Sequence, residues 1–222
     1  MLEIIQYNCG GANGRKARPY LDSIRGSEIP MLVIQEPGTG GEKQQAYCPR
    51  GYRWSRKIEP GMKVATMVYD KIPLTDCIPR NVTDNVEWIT LRTDDIDLEI
   101  VNVYNPISPA TQARISVWRE LEPILEQIHR KHAIVIGDFN TKHPEWEEGY
   151  VREPKAEHLM MRMQGMGFRL LNERGATTWK RGNSKSVIDL GFASETLWEK
   201  VIRYQPKEEW ALTQDHFPIH PM

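Results

Sequence analysis

The chain is short of cysteine. Cys9, Cys48 and Cys77 are all it has, scattered and odd in number. That argues against a disulfide framework and for a reducing compartment. No cysteine–histidine spacing suggests a zinc site. Long apolar runs are also missing: none approaches the ~18 residues of a membrane span. The opening Met1-Leu2-Glu3-Ile4-Ile5 lacks the basic region and small-residue cleavage site of a signal peptide, and reads as a first strand used at once. Charge of one sign is not in excess either. The formal net charge is −1, so no global basic field announces a nucleic-acid partner, although an enzyme with a local basic rim stays open.

The rest of the composition is that of an ordinary globular protein. The 222 residues suffice for one large domain with a substantial core. No internal repeat, low-complexity tract or composition shift divides them. The expectation is one domain over residues 1–222, a piece cut from a longer polypeptide.

The stretch that organises the chain is Ala133-Ile134-Val135-Ile136-Gly137-Asp138-Phe139-Asn140. Its apolar run reads as a strand buried on both faces. The run stops at Gly137, and a carboxylate and an amide come next, two residues apart. In extended chain such positions share a side, so Asp138 and Asn140 could address one ligand. Gly, Asp and Asn also form turns, and that reading stays open.

Other predicted strands are 2–7, 31–34, 64–69, 86–91 and 98–104. A helix is expected over 17–27, another over 153–165, and a short one after Ser194. Helical periodicity runs over 109–130, with Pro123 expected to break or kink it, or to start a second helix as its first residue. Thr177-Thr178-Trp179 and Val187-Ile188-Asp189-Leu190 read as strands joined by a polar tip, Lys180 to Lys185. Many strands with few helices suggest two sheets packed face to face with helices outside.

Several of these strands end in polar groups: Asn8, Glu36, Tyr104-Asn105, Asp138 with Asn140, Asp189, and Asp215-His216. The set suits metal-assisted phosphodiester hydrolysis. Glu36 and nearby amide or carboxylate oxygens match a hard Mg²⁺ ion. Asp138 could orient or deprotonate a water, and Asn140 could hold it. A histidine kept charged by a carboxylate could neutralise the phosphate in the transition state. Each residue also has an ordinary explanation, as loop carboxylate, turn residue or core edge. Asp189, inside the apolar run Val-Ile-Asp-Leu, is the hardest to explain so, because a buried carboxylate needs a partner.

In order, Tyr-Asn-Cys-Gly, Ile-Gln-Glu-Pro, Asn-Val-Tyr-Asn-Pro, Gly-Asp-Phe-Asn, Ser-Val-Ile-Asp-Leu and Gln-Asp-His-Phe-Pro-Ile resemble the endonuclease/exonuclease/phosphatase superfamily. The resemblance runs from residue 6 to 219. Within the superfamily the chain most resembles the apurinic-type endonuclease domain of non-LTR (LINE-type) retrotransposons, to which Gln35-Glu36-Pro37 and the compact length point. The resemblance implies an α/β fold, a four-layer α/β sandwich of the DNase I-like kind with two mixed sheets face to face. It implies DNA nicking with Mg²⁺, or Mn²⁺ in its place, which leaves a 3′-hydroxyl for reverse transcription. Its implied metal ligands are Glu36, Asn8 and Asp215. Asp138 and Asn140 would activate and place the water, Asp189 would orient His216, and His216 and Tyr104 would contact the phosphate. Thr178, Lys180, Arg181, Asn183, Lys185, Gln214 and Arg15 would meet DNA. The implied partners are double-stranded DNA and a reverse transcriptase joined to it in the full-length protein, with no membrane, and the implied location is the nucleus.

Two departures stand out. Gln214 replaces the family's Ser before Asp-His, and Ile107 stands where many relatives carry Asn. Three other functions share parts of the pattern: a stand-alone abasic-site nuclease, a phosphatase, and an inactive nucleic-acid-binding module.

Overall fold

A computed structural model describes residues 3–10, 18–25, 27–38, 46–73, 76–92, 94, 96–201, 203–211 and 215–221. In chain order the first strands are β1 (Ile4–Asn8), β2 (Met31–Gln35), β3 (Tyr52–Trp54), β4 (Val64–Tyr69), β5 (Cys77–Val82), β6 (Val86–Arg92) and β7 (Asp97–Tyr104). After them come β8 (Ala133–Asp138), β9 (Phe168–Leu170), β10 (Trp179–Arg181), β11 (Ser184–Ser186), β12 (Asp189–Ser194), β13 (Tyr204–Pro206) and β14 (Ile219–Pro221). The helices are α1 (Arg18–Ser23), α2 (Trp118–Ile128), α3 (Pro154–Gly165) and α4 (Glu195–Trp198).

Two six-stranded sheets carry the fold. The first has the order β13-β14-β1-β2-β4-β3, the second β5-β6-β7-β8-β12-β9. Each is mixed: β1–β2 and β7–β8 pair in parallel, and their other pairs are antiparallel. Strand periodicity assigns the layers. Ile134 and Ile136 face inward with Ile4, Met31, Val33 and Ile100, which fill the space between the sheets. Ala133 and Val135 face outward, under α2 and α3, with Trp118, Leu121, Leu125 and Leu159. On the other side Tyr20 and Leu21 of α1 cover Ile5, Tyr7, Leu32 and Ile34. Three apolar seams make four layers, and β8 is buried on both faces as its sequence predicts.

Gly137 has a steric reason. A Cβ placed there would lie 1.9 Å from the carbonyl oxygen of Val103 on β7. Gly137→Ala must therefore push β7 and β8 apart just where both deliver residues to the rim. It should cost about 3 kcal/mol of stability. A urea midpoint equal to wild type would show that the two strands yield freely.

Several features differ from expectation, and α1 ends at Ser23, short of the limit expected at residue 27. The helix expected over 109–130 starts only at Trp118, and Pro123 lies inside it. Pro123 is on the exposed side, where water can satisfy the carbonyl that its missing N–H leaves free. The hairpin is displaced toward its tip. Its arms are β10 and β11, a separate two-stranded sheet, while Val187 and Ile188 are irregular. Gly182, at φ +59°, supplies the left-handed residue of the two-residue turn. Ser194 stands at the N-cap position of α4 but makes no capping bond. Its hydroxyl donates to the Lys131 carbonyl at 2.7 Å instead.

Candidate active site

Sheet order places the polar strand ends in two facing rows. Along the first sheet, β14, β1, β2 and β4 are neighbours. Their ends near the site carry, in the same order, His216 ahead of β14, Asn8, Glu36 just past β2, and Lys63 just before β4. Along the second sheet, β7, β8 and β12 bring Tyr104, Asp138 and Asp189 into register. The rows touch along their length. His216 Nδ1 lies 2.8 Å from Asp189 Oδ2. Asn8 Nδ2 donates to Asp138 Oδ2 at 2.9 Å. At the far end, Lys63 Nζ is 5.8 Å from the Tyr104 ring centre and 3.6 Å from Glu36 Oε1.

Local backbone fixes the two most exacting positions. Glu36 and Asn140 are two of three non-glycine residues with positive φ among the described residues, at 47° and 45°. That region is disfavoured for an L residue and persists where the surroundings enforce it. Glu36 N–H is held by the Lys63 carbonyl at 2.7 Å. The Asn140 side chain donates to the Asn105 carbonyl at 2.9 Å, and its N–H donates to Asp138 Oδ1 at 3.0 Å. Asp138 and Asn140 thus meet through a turn and not through extended chain, because the strand ends at Asp138.

Burial sets the electrostatics. Asp138, Asp189 and His216 are all buried, and one ligand atom of each lies within 4.8 Å of the others. Burial, reinforced by the Asp189 carboxylate, pushes the Asp138 carboxyl well above the usual carboxylate range; His216, the Asn140 N–H and the Asn8 amide only partly offset this. Burial opposes a charge on His216, but the Asp189 carboxylate, with Asp138 and Glu36 beyond it, raises the imidazole to about 9. Burial, then the Glu36 and Asp138 carboxylates, keep the Tyr104 hydroxyl protonated.

The donor set fits a hard divalent cation at one corner. A histidine that holds its proton near neutrality repels a cation, which disfavours the Asp138–Asp189–His216 cluster as its seat. Glu36 and the Asn8 Oδ1 are oxygen donors only. The Glu36 carboxylate already draws a cation, the Lys63 ammonium.

A family model described as endonuclease-reverse transcriptase matches residues 98–220. The chain belongs to this family. No curated protein sequence matches it. Among solved structures, the endonuclease domain of TRAS1, a telomere-specific non-LTR retrotransposon, aligns with a TM-score of 0.78 at 20% identity, over 99% of this chain and 96% of that one. The AP endonuclease LMAP from Leishmania major gives 0.73 at 14% identity, over 99% and 86%. The catalytic domain of Xenopus laevis APE2 gives 0.66 at 15% identity, over 100% and 91%. At these identities the likeness concerns the fold, the DNase I-like α/β sandwich.

In this member of the family the residues expected at DNA separate into groups. Thr178 is fully buried. Its Oγ1 accepts the N–H groups of Ile188 and Asp189, each at 3.0 Å. It is placed to hold Asp189, and it has no surface to offer DNA. Asp215, expected as a metal ligand, is paired with Arg181 of β10. Arg181 Nε donates to its carboxylate at 2.9 Å, and Nη2 donates to the same oxygen. Lys180 Nζ pairs with Glu208 at 2.8 Å. Asn183 and Lys185 are exposed on the hairpin. Arg15 and Gln214 lie outside the described residues. Ile107 is exposed, 84% accessible, and so replaces no buried contact.

Sequence reasoning missed Lys63, which comes after a loop and precedes an apolar strand with nothing to mark it. It also missed the layer beneath the site, where Gln35 Nε2 donates to Asn102 Oδ1 at 2.7 Å between the sheets. The amide of Asn102 inside the apolar run of β7 was the available signal.

Proposed function

We propose that the chain is a Mg²⁺-dependent endonuclease that nicks one strand of duplex DNA and leaves a 3′-hydroxyl for reverse transcription to extend. Residues 1–222 act in this reading as one catalytic domain, joined to a reverse transcriptase and working on chromosomal DNA in the nucleus. The observation that carries it is the facing pair of rows, with His216 held by Asp189 at one end and a buried carboxylate, Asp138, beside it.

The residues divide the work. Asn140 Oδ1 and Asp138 hold a water against the phosphate. Asp138, made basic by burial, takes the water's proton. The water oxygen bonds to phosphorus, the bond from phosphorus to O3′ breaks, and O3′ takes up a proton. The products are a 3′-hydroxyl and a 5′-phosphate. His216 and the Tyr104 hydroxyl donate to the phosphate oxygens as their charge grows. Glu36 and Asn8 would hold Mg²⁺, which supplies polarisation of the phosphate and stabilisation of the leaving oxyanion. Among the described residues no helix is long and apolar enough to cross a membrane, and the reading needs none.

The test is conversion of supercoiled plasmid to open circles, with Mg²⁺, with Mg²⁺ and EDTA, and with His216→Ala. Nicking only by the wild type with Mg²⁺ is expected. No conversion in any arm would overturn the reading, and a strong preference for abasic duplex would turn it into an abasic-site nuclease.

A further inference from the structure

We infer that Lys63 is a substrate-binding residue of this site: its ammonium takes a backbone phosphate of the DNA strand on the Tyr104 side of the cut, and Glu36 holds it until then. The inference rests on the DNA-nicking reading above and names a contact within it.

The position of Lys63 is fixed by sheet register. Gln35 pairs with Val64 across β2 and β4, so the next residues outward, Glu36 and Lys63, also face each other. Glu36 N–H donates to the Lys63 carbonyl, and Lys63 N–H donates to the Asp84 carbonyl, both at 2.7 Å. The backbone of Lys63 is therefore tied on both sides at the rim of the seam. Only its side chain is free to move.

Its place in the row defines its partner. His216, Asn8, Glu36 and Lys63 come from four adjacent strand ends. Three strand spacings of about 4.8 Å put the two cations on the order of 14 Å apart. A strand whose scissile phosphate meets His216 and Asp138 continues past Glu36 and Tyr104, so its next phosphates pass Lys63. A point charge on a flexible stem suits that contact.

Its present partner is a weak one. The ammonium stands 3.6 Å from Glu36 Oε1, with the side chain 45% exposed. Half-exposed pairs of this kind contribute little to stability and exchange readily. The hairpin cations differ: Lys180 and Arg181 are each closed onto a carboxylate at direct hydrogen-bond range. In a chain of net charge −1, phosphate contacts must come from individually placed cations. A divalent cation held by Glu36 would supply like charge beside the ammonium and favour its turn toward the strand. Lys63 is thus placed to exchange a carboxylate for a phosphate.

The test uses binding and not cleavage. A fluorescently labelled duplex is titrated with protein in EDTA at several salt concentrations, and anisotropy gives the salt dependence of affinity. Glu36→Gln frees Lys63 without metal. In that background, Lys63→Met should lower the slope of log affinity against log salt by about 0.9, the value of one phosphate contact. Lys63→Arg should keep it. With Glu36 intact the same Lys63→Met change should be smaller, because the carboxylate competes with phosphate. Thermal midpoints should stay together, since the side chain is half exposed. Equal slopes for Glu36→Gln and for the double variant, with both binding duplex, would overturn the inference and leave the nicking reading standing. Failure of every variant and the wild type to bind duplex would overturn both.

Discussion

Asp138→Asn should lower single-turnover nicking about 10³-fold, which corresponds to about 4 kcal/mol of activation free energy. The substitution keeps the shape of the side chain and removes its basicity. Asp138 is where the two facing rows meet most closely. Its Oδ2 accepts the Asn8 amide at 2.9 Å, and its Oδ1 accepts the Asn140 N–H at 3.0 Å. The residue that holds the water and the residue expected at the metal therefore both lean on this carboxylate. Burial raises its affinity for a proton, which is what a base that must take one from water requires. An asparagine offers one acceptor instead of two and turns an N–H toward a donor. Circular dichroism would check that the variant is folded. A folded Asp138→Asn protein within tenfold of the wild-type rate would remove Asp138 from the role of base.

The second large effect concerns Asp189. Its carboxylate touches no substrate in the proposed mechanism; it keeps His216 charged. Asp189→Asn should slow nicking at pH 7.5 by about 10² or more, near the value of a charge-stabilising donor. It should also change the shape of the pH profile. In the wild type, against the cost of burial, the Asp189 carboxylate raises His216 to about 9, so the alkaline limb of the rate should fall as pH rises through that value. The acid limb belongs to Asp138, whose carboxyl is raised by burial. Without the Asp189 carboxylate the imidazole gives up its proton earlier, and the alkaline fall should begin at lower pH. The sign for stability is the same. A histidine raised on folding contributes stability that is fully present below its unfolded value of about 6.5 and is lost as pH rises toward 9. An unshifted alkaline limb in Asp189→Asn would mean that His216 does not act as a cation. Thr178 belongs to this argument, since its hydroxyl oxygen receives the N–H of Asp189 and so fixes the backbone from which the carboxylate reaches His216.

The sequence made the strand ends legible because each one changes chemistry abruptly. Ile134-Val135-Ile136 reads as a strand with two covered faces, and the polar residues just beyond it as a rim. The same step from apolar to polar marks Asn8 after Ile4–Tyr7, and Glu36 after Met31–Ile34. Asp189 was legible for the opposite reason, as a carboxylate set within apolar residues. Helix limits were less legible. Periodicity alone does not separate the turns at 109–117 from α2, and Pro123 on the water-facing side ends nothing. The hairpin tip reads as basic and exposed in sequence, but two of its cations face carboxylates that lie 34 and 28 residues away along the chain.

By itself the sequence determined the alternation that builds three apolar seams, and the identity of the polar groups at each strand end. These are local matters of side-chain periodicity and burial. Only the tertiary structure decided which of those groups meet. The order β14-β1-β2-β4 set against β7-β8-β12 pairs His216 with Asp189, Asn8 with Asp138, and Glu36 with Lys63 beside Tyr104. It also turned Asp215 to Arg181 and buried Thr178. Contacts between residues more than a hundred positions apart, such as Asn8 and Asp138, depend on how the sheets stack. Stacking is set by the whole core, and no short stretch of sequence encodes it.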